Sequence, residues 1–184
     1  KAAREAFRTW REVPAPVRGE LVGRIGGALL ANKEKLARII AREIGKTLRE
    51  ARGEVQEAID TCAFFQGEGR RLYGQTLPSE LPSKEIATHR RPVGVCGVMT
   101  PANVPLAVPS WKIVPAILCG NTVVWKPSEE APTIAYLFVR CMMDAGLPPG
   151  VVNVVNGRGQ TGCGKSFLAG IDKGWFDAFS FTGS

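Results

Sequence analysis

The sequence predicts an α/β protein in which a helical segment precedes a doubly wound parallel sheet. Two observations support this prediction. Through residues 1–73 apolar residues recur at helical spacing, whereas from residue 92 onward short β-branched runs alternate with helical patterns. Alternating strands and helices form parallel sheets with right-handed crossovers. Between these parts, residues 74–91 are rich in proline and serine and predict an extended or hairpin-like excursion.

Composition narrows the class of protein. The chain has 184 residues, 45% hydrophobic and 22% charged, with a formal net charge of +7. No run approaches the ~20 apolar residues of a membrane span. The excess of lysine and arginine lies in residues 1–91, where glutamate alternates with it, so we interpret it as solvated helical faces rather than a nucleic-acid site. We expect a cytoplasmic protein that contacts neither membrane nor nucleic acid.

The amino-terminal segment predicts four helices. The first covers residues 1–13 and ends before Pro14, and the second covers residues 17–30 with one apolar face. Asn32 is suited to cap the third helix, because its side-chain oxygen can accept a backbone N–H. Thr47 and Glu50 have the spacing of a capping box, which opens a fourth, long helix.

The next stretch predicts strand, loop, helix and strand. Residues 93–99 are a short β-branched run, residues 106–118 have helical spacing, and residues 122–126 form a second strand. Prolines on both sides of Asn103 make the loop stiff. Because the carboxyl ends of parallel strands meet at one edge, Asn103 and the end of the second strand are expected at the same, ligand-facing edge.

The pattern then repeats to the end of the sequence. We predict a helix over residues 132–144, a strand over 151–155, a short helix near 165–169 and a strand over 177–181. A glycine-rich loop separates the strand over 151–155 from the short helix. The alternation extends the parallel sheet to four strands.

The glycine-rich loop matches two phosphate-binding patterns. Residues 157–162 read G-x-G-x-x-G, and residues 159–166 read G-x-x-x-x-G-K-S. A dinucleotide fingerprint also needs an acidic residue where the next strand ends, but Asp177 begins its strand. A P-loop needs a magnesium-binding carboxylate at a strand end, and no predicted strand ends in one. We favour a glycine turn near a nucleotide, and keep a P-loop hydrolase using Lys165 and Ser166 as the alternative.

Longer motifs in residues 91–184 resemble the NAD(P)-dependent aldehyde dehydrogenase superfamily. Two examples are Thr-Pro-Ala-Asn-Val-Pro at 100–105 and Gly-Asn-Thr-Val-Val-Trp-Lys-Pro-Ser-Glu at 120–129. Further collinear matches are residues 43–47, 92–95, 111–116, 145–155 and 181–184, and residues 73–80 look most like the semialdehyde-oxidising branches. The resemblance implies an incomplete aldehyde dehydrogenase fold, with residues 1–73 and a Rossmann-like part, 92–184, forming the NAD-binding region.

The family oxidises an aldehyde through a thiohemiacetal on a cysteine and passes hydride to the nicotinamide. Either hydrolysis or transfer to coenzyme A then releases the acyl group, and both outcomes stay open here. The resemblance implies that Asn103 donates to the oxyanion, with a loop-capping asparagine as the alternative. It places Lys126 and Glu129 on the adenosine ribose, with a surface ion pair as the alternative. A carboxylate there repels a 2′-phosphate, so NAD is expected over NADP.

Further cofactor contacts follow from the same resemblance. Ser128 belongs to the ribose motif, and Thr100 and Pro101 would line the nicotinamide side with their backbone. The adenine would be flanked by Gly159 and Gly162, and the turn before the pyrophosphate-binding helix would be formed by Gly183 and Ser184.

The nucleophile, the general base and the whole catalytic domain of the family would lie beyond residue 184, so we expect this fragment to be inactive alone. The five cysteines lack a C-x-x-C pair, which predicts neither disulfides nor a metal site. Four of them are interpreted as buried, and only Cys163 has the position of a reactive thiol. The parent enzyme would act on a small aldehyde as a homo-oligomer, dimer or tetramer, assembled through residues 74–91. A non-catalytic oligomeric scaffold is a further alternative.

Overall fold

The computed structural model describes residues 1–160 and 162–183. Its helices are α1 (Ala2–Trp10), α2 (Ala15–Ala31), α3 (Lys33–Ile44), α4 (Leu48–Glu68), α5 (Ala107–Leu118), α6 (Pro132–Asp144) and α7 (Cys163–Asp172). Its strands are β1 (Thr76–Pro78), β2 (Glu85–Ala87), β3 (Val95–Met99), β4 (Thr122–Lys126), β5 (Val152–Val154) and β6 (Ala178–Phe181). Four helices thus precede the region in which strands and helices alternate, as the sequence predicts.

The last four strands form one parallel sheet in the order β5-β4-β3-β6. In the central strand β3, Met99 pairs with Lys126 of β4 on one side and with Phe181 of β6 on the other. The chain therefore winds outward through β4 and β5, then returns to place β6 beside β3. In such sheets ligands bind at the carboxyl edge, near the point where the winding reverses. The predicted fold class is confirmed.

A separate hairpin lies between the two parts. β1 and β2 pair antiparallel, and all six of their residues are exposed. The hairpin falls within the predicted excursion at residues 74–91. The domain boundaries at residues 73 and 91, and the role of the hairpin in assembly, stay predictions.

One apolar core joins the helical segment to the sheet. α2 packs against α4, α4 packs against α5, and α5 in turn covers β3 and β4. The largest fully buried side chains are Trp125, Phe138, Ile25, Leu29, Leu36, Ile40, Leu106, Ile113, Ile117, Leu118, Ile134 and Met142. Because these residues come from both parts, the helical segment supplies much of the surface on which the sheet's crossover helices rest.

Helix ends agree with the sequence at one predicted cap and differ at another. Thr47 and Glu50 form the capping box at α4, with N–H to oxygen distances of 3.0 and 3.3 Å. The predicted cap of α3 by Asn32 is wrong. Its amide Nδ2 instead donates to Ala28 O at 2.9 Å, so the side chain satisfies a carbonyl at the end of α2.

The described part of the chain contains neither a membrane-spanning helix nor a cluster of metal-binding side chains. No helix within residues 1–160 and 162–183 is long and apolar enough to cross a membrane. Within the same residues, histidine, cysteine and carboxylate side chains form no group of three or more that could hold a metal ion.

Candidate functional site

The carboxyl ends of β3, β4 and β6 meet at one edge of the sheet. The N–H of Thr100 donates to Lys126 O at 3.3 Å, and the N–H of Thr182 donates to Met99 O at 3.1 Å. The loop that leaves β3 contains Asn103, and it starts beside the end of β4. The fold therefore brings the loops with the sequence-predicted residues to one place.

Lys126 and Glu129 are directly linked at this edge. The Lys126 side chain is only 3% exposed, and its Nζ donates to Pro127 O at 3.0 Å and lies 3.7 Å from Glu129 Oε2. Both oxygens of Glu129 accept the Gly159 N–H, at 3.0 and 3.1 Å. This hydrogen bond lowers the pKa of Glu129 from its ordinary value. Lys126 is thus a buried cation at a strand end, unlike the lysine of a surface ion pair.

Asn103 lies in the bend between β3 and α5. Its side chain is exposed and makes no hydrogen bond to another described residue, so it does not cap its own loop. The neighbouring Thr100 is 4% exposed, and its Oγ1 accepts the Trp125 indole N–H at 2.9 Å. The hydroxyl of Thr100 is therefore engaged inside the protein, whereas the amide of Asn103 is available to a ligand.

Glu54 supports the Asn103 loop, and sequence reasoning missed it. Its carboxylate, 4% exposed, accepts the N–H groups of Leu106 at 2.7 Å and Ala107 at 3.4 Å, where α5 begins. Its other oxygen lies 2.5 Å from Lys46 Nζ. A signal was present, since Glu54 stands on the apolar face of α4, where a lone charge needs a partner.

A second carboxylate fills the corresponding position at α6. Glu43 of α3 accepts the N–H of Thr133 at 2.8 Å and of Ile134 at 2.9 Å. Helix amino-termini carry unpaired N–H groups and a partial positive charge, so these contacts are favourable. Two of the three crossover helices that start at this edge, α5 and α6, are therefore capped by glutamates from the helical segment, whereas α7 has no side-chain cap.

The glycine-rich loop is closed on itself. The Gly164 N–H donates to Arg158 O at 3.1 Å, and the Ser166 N–H donates to Gly162 O at 2.8 Å. A Cβ at Gly164 would lie 2.1 Å from Gly159 O, so the loop requires glycine there. The Gly159 N–H donates to Glu129. The N–H groups of Gly159, Gly164 and Ser166, which a P-loop would direct at phosphate, are therefore all bonded within the protein.

Among the described residues, no hydrogen bond joins the remaining predicted cofactor residues to the side chain of Lys126 or Glu129. Ser128 Oγ accepts the Glu130 N–H at 3.3 Å. Pro101 is half-buried after β3, and Gly162 is the exposed amino-terminal cap of α7. Gly183 follows β6 and is exposed. Ser184 lies outside the described residues.

The prediction of four buried cysteines is confirmed for Cys62 and Cys141, whereas Cys96 and Cys119 are half-buried. Burial raises the pKa of Cys62 to about 12 and that of Cys96 to about 11, and it also raises the pKa of Cys119 and Cys141. These four thiols are therefore poor nucleophiles. Cys163, at the start of α7, is half-buried, and its Sγ makes one weak hydrogen bond to a described residue, to Asn156 O at 3.9 Å.

A four-stranded parallel sheet with this strand order, and with polar loops at its carboxyl edge, defines a doubly wound α/β protein with a ligand site at that edge. Comparison of the sequence with known families then identifies the family. The sequence model of the aldehyde dehydrogenase family matches residues 1–184, and the chain belongs to this family.

Similar proteins of established name include two semialdehyde dehydrogenases. The alpha-ketoglutarate semialdehyde dehydrogenase of Haloferax volcanii is 41% identical over 183 residues, which is 100% of this chain and 37% of the relative. Malonate-semialdehyde dehydrogenase 2 of Geobacillus kaustophilus is 42% identical over 157 residues, 85% of this chain and 32% of the relative. The chain thus spans about a third of the length of the curated relatives it matches.

Solved structures agree with the sequence comparison. Betaine aldehyde dehydrogenase from Staphylococcus aureus, solved in complex with NAD+, superposes with a TM-score of 0.83 at 34% identity, covering 86% of this chain and 32% of that structure. An NAD-dependent aldehyde dehydrogenase from Sinorhizobium meliloti gives a TM-score of 0.83 at 37% identity, with 86% and 32% covered. The resemblance noted in the sequence is confirmed, and the P-loop alternative receives no support.

Proposed function

We propose that this chain is the NAD-binding part of an aldehyde dehydrogenase that oxidises a semialdehyde to the corresponding acid. The observation that supports this most is the buried Lys126 beside Glu129 at the carboxyl end of β4. NAD supplies the hydride acceptor when bound. The semialdehyde relatives support the substrate class, and the neighbour solved with NAD+ supports the cofactor.

In this proposal Lys126 and Glu129 bind the two hydroxyls of the adenosine ribose. An ammonium has three N–H donors, and Lys126 gives one to Pro127 O. The Glu129 carboxylate keeps lone pairs beyond those that accept the Gly159 N–H. A donor beside an acceptor matches a vicinal diol, which both accepts and donates. Ser128 belongs to the same turn and orders it through the Glu130 N–H.

The glycines of the neighbouring loop would flank the adenine. Gly162 has open space where a Cβ would stand, and a Cβ at Gly159 would lie 3.5 Å from the Glu129 carboxylate. Small residues at both positions leave room for a flat base next to the ribose pair. Gly183 and Ser184 are proposed for the turn that precedes the pyrophosphate-binding helix of the family.

Asn103 is proposed as the oxyanion donor. Its amide is uncharged and unengaged by other described residues, and its loop is fixed by prolines and by Glu54 at the start of α5. The amide N–H stabilises negative charge that develops on the aldehyde oxygen when a thiolate adds to the carbonyl carbon. Thr100 and Pro101 contribute backbone to the nicotinamide side, since the Thr100 hydroxyl is already bonded to Trp125.

The assembly and cellular setting also belong to the proposal. We infer a cytoplasmic homo-oligomer that uses the β1–β2 hairpin as a contact surface. The hairpin's exposed residues, including Leu77 and Ile86, support this assignment, because large apolar side chains on a two-stranded hairpin gain from being covered.

Lys126→Met is expected to weaken NAD binding by the 184-residue chain by about tenfold to a hundredfold. A hydrogen bond from a charged group contributes about 1.5–3 kcal/mol, which corresponds to that range. Isothermal titration calorimetry with NAD measures the change. Circular dichroism confirms that the apolar replacement, of similar length, still folds.

The matched control is Lys165→Met, which removes the P-loop lysine. It should leave NAD affinity unchanged. Unaltered NAD binding by Lys126→Met, or magnesium-dependent ATP binding that Lys165→Met abolishes, would contradict the proposal in favour of the nucleotide hydrolase.

Glu129→Gln is expected to raise the affinity for NADP relative to NAD by about fivefold. The substitution removes a negative charge that repels the 2′-phosphate, an interaction of about 1 kcal/mol between well-solvated charges. Competition titrations with both dinucleotides measure the ratio. Glu130→Gln, the adjacent exposed carboxylate, is the control, and an equal shift in both variants would argue against a ribose contact by Glu129.

A further inference from the structure

A second cleft lies at the amino-terminal edge of the sheet, opposite the candidate site. It encloses about 560 Å³. Its walls are the turn between α1 and α2, the segment 90–93 before β3, and the turn 119–121 before β4. Because these segments precede β3 and β4, the cleft is separated from Lys126 and Asn103 by the length of the strands.

The floor of this cleft contains a buried guanidinium. Arg18 is 6% exposed, and its Nε donates to Leu118 O at 2.6 Å while Nη1 donates to Val13 O. Two of five N–H donors are thus used, both on backbone carbonyls. No carboxylate of a described residue lies within ion-pair distance of Arg18. Burial lowers the pKa of Arg18, as expected for a cation held without an anionic partner.

Asn121 provides a second buried donor beside it. The residue is 7% exposed, and its Oδ1 accepts the N–H groups of Val93 at 2.8 Å and Gly94 at 3.0 Å. Its Nδ2 therefore points away from these donors, and it meets no acceptor among the described residues. Among the described residues, every side-chain nitrogen or oxygen that is fully shielded from solvent has a hydrogen-bond partner. The unpaired donors of Arg18 and Asn121 are therefore reached by solvent, and they face the cleft that both residues line.

The rim adds further positive charge. Arg90 and Arg91 are exposed, line the cleft and form no ion pair with a described residue. Arg11 also lines it and lies 3.1 Å from Glu12, the one carboxylate in the described lining. Cys119 lines the same cleft, and the positive charges of Arg18 and Arg90 partly offset the rise that burial causes in the pKa of its thiol.

We propose that this cleft binds a small phosphorylated anion. Arg18 and Asn121 form its fixed floor, and Arg90 and Arg91 hold the ligand from the rim. The planar guanidinium of arginine can donate two parallel hydrogen bonds to two oxygens of a phosphate. A buried arginine loses little side-chain conformational entropy when it does so, because its side chain is already held in place. The volume exceeds that of one phosphate, which favours a polyphosphate or a phosphorylated metabolite. This site is independent of the proposed dinucleotide site.

The test uses inorganic pyrophosphate and the 184-residue chain at fixed ionic strength. Calorimetry should give saturable binding, and Arg90→Gln and Arg91→Gln should each weaken it about tenfold. Arg49→Gln is the matched control: this arginine is exposed on α4, outside the cleft, and its loss should leave the affinity unchanged. Amide chemical shifts should move at residues 90–94 and 119–121.

Four results would overturn the proposal. An absence of saturable binding excludes the site. An equal loss of affinity in Arg49→Gln would show that binding depends only on the overall charge of the chain. Chemical-shift changes confined to residues 126–129 and 157–160 would show that pyrophosphate binds at the dinucleotide site instead. Malonate, a dicarboxylate, serves as the competing ligand, and malonate binding as tight as that of pyrophosphate contradicts the phosphate class.

Discussion

Replacing Glu54 with alanine is expected to lower the free energy of unfolding by about 3–5 kcal/mol. The change leaves the Lys46 ammonium, which lies 2.5 Å from the carboxylate, without its ion-pair partner. It also removes the acceptor of the Leu106 and Ala107 N–H groups. Breaking a largely buried pair by removing one partner costs more than the pair itself contributes, because the Lys46 side chain, which is 22% exposed, regains only part of its hydration. Urea denaturation of the 184-residue chain, followed by circular dichroism, measures the loss.

Glu57→Ala is the control for that measurement. Glu57 lies on the same helix and carries the same charge, but it is exposed and forms no ion pair with a described residue. Its replacement should change stability by less than about 0.5 kcal/mol. Equal effects of the two substitutions would show that Glu54 does not anchor α5.

Phe138→Ala is expected to destabilise the chain by about 3–5 kcal/mol. Phe138 is fully buried and packs edge-to-face on Trp125, with ring centroids 6.1 Å apart and an interplanar angle of 83°. Its loss leaves a cavity against the strand that ends in Lys126. The substitution therefore affects the sheet directly under the candidate site.

The measurement is again urea denaturation, with Tyr136→Ala as the partner experiment. Tyr136 is an aromatic residue on the same helix but is 59% exposed, so its removal creates no internal cavity. We expect its effect to stay within about 1 kcal/mol. A Phe138→Ala variant as stable as Tyr136→Ala would contradict the packing described for α6.

Glycine and proline residues at element boundaries determined how accurately the ends of individual strands and helices could be predicted. β4 and α6 begin and end at the predicted residues. Gly120 marks the turn before β4, and Pro132 is the first residue of α6. β3 starts two residues later than predicted, because Gly94 adopts a φ of +135° and turns the chain just before the strand.

Tertiary contacts explain where prediction was less accurate. α7 runs from Cys163 to Asp172, well beyond the predicted 165–169. Its internal glycines weaken the helical signal, yet they are needed for close approach: a Cβ at Gly170 would lie 2.7 Å from the Trp175 ring. Packing of this kind is not visible in local sequence spacing.

The candidate site divides in the same way. Asn103, Lys126 and Glu129 could be found because each stands within a continuous motif at a predicted strand end. Glu54 and Glu43 could not, since each meets its backbone partners across 52 and 90 residues of chain or more. Only the buried position of Glu54 on an apolar helix face indicated that it has a partner elsewhere.

The two glutamate caps also determine where a charged ligand can dock. Helices α5 and α6 both present their amino-termini at the carboxyl edge of the sheet, and each of these positive ends is already neutralised by an internal carboxylate. A phosphate arriving there would compete with Glu54 or Glu43 and would meet their repulsion. Under the proposed function, this edge is consequently selective by charge: the neutral, hydroxyl-bearing portion of the nucleotide would bind there, and the anionic portion would bind at other helix ends.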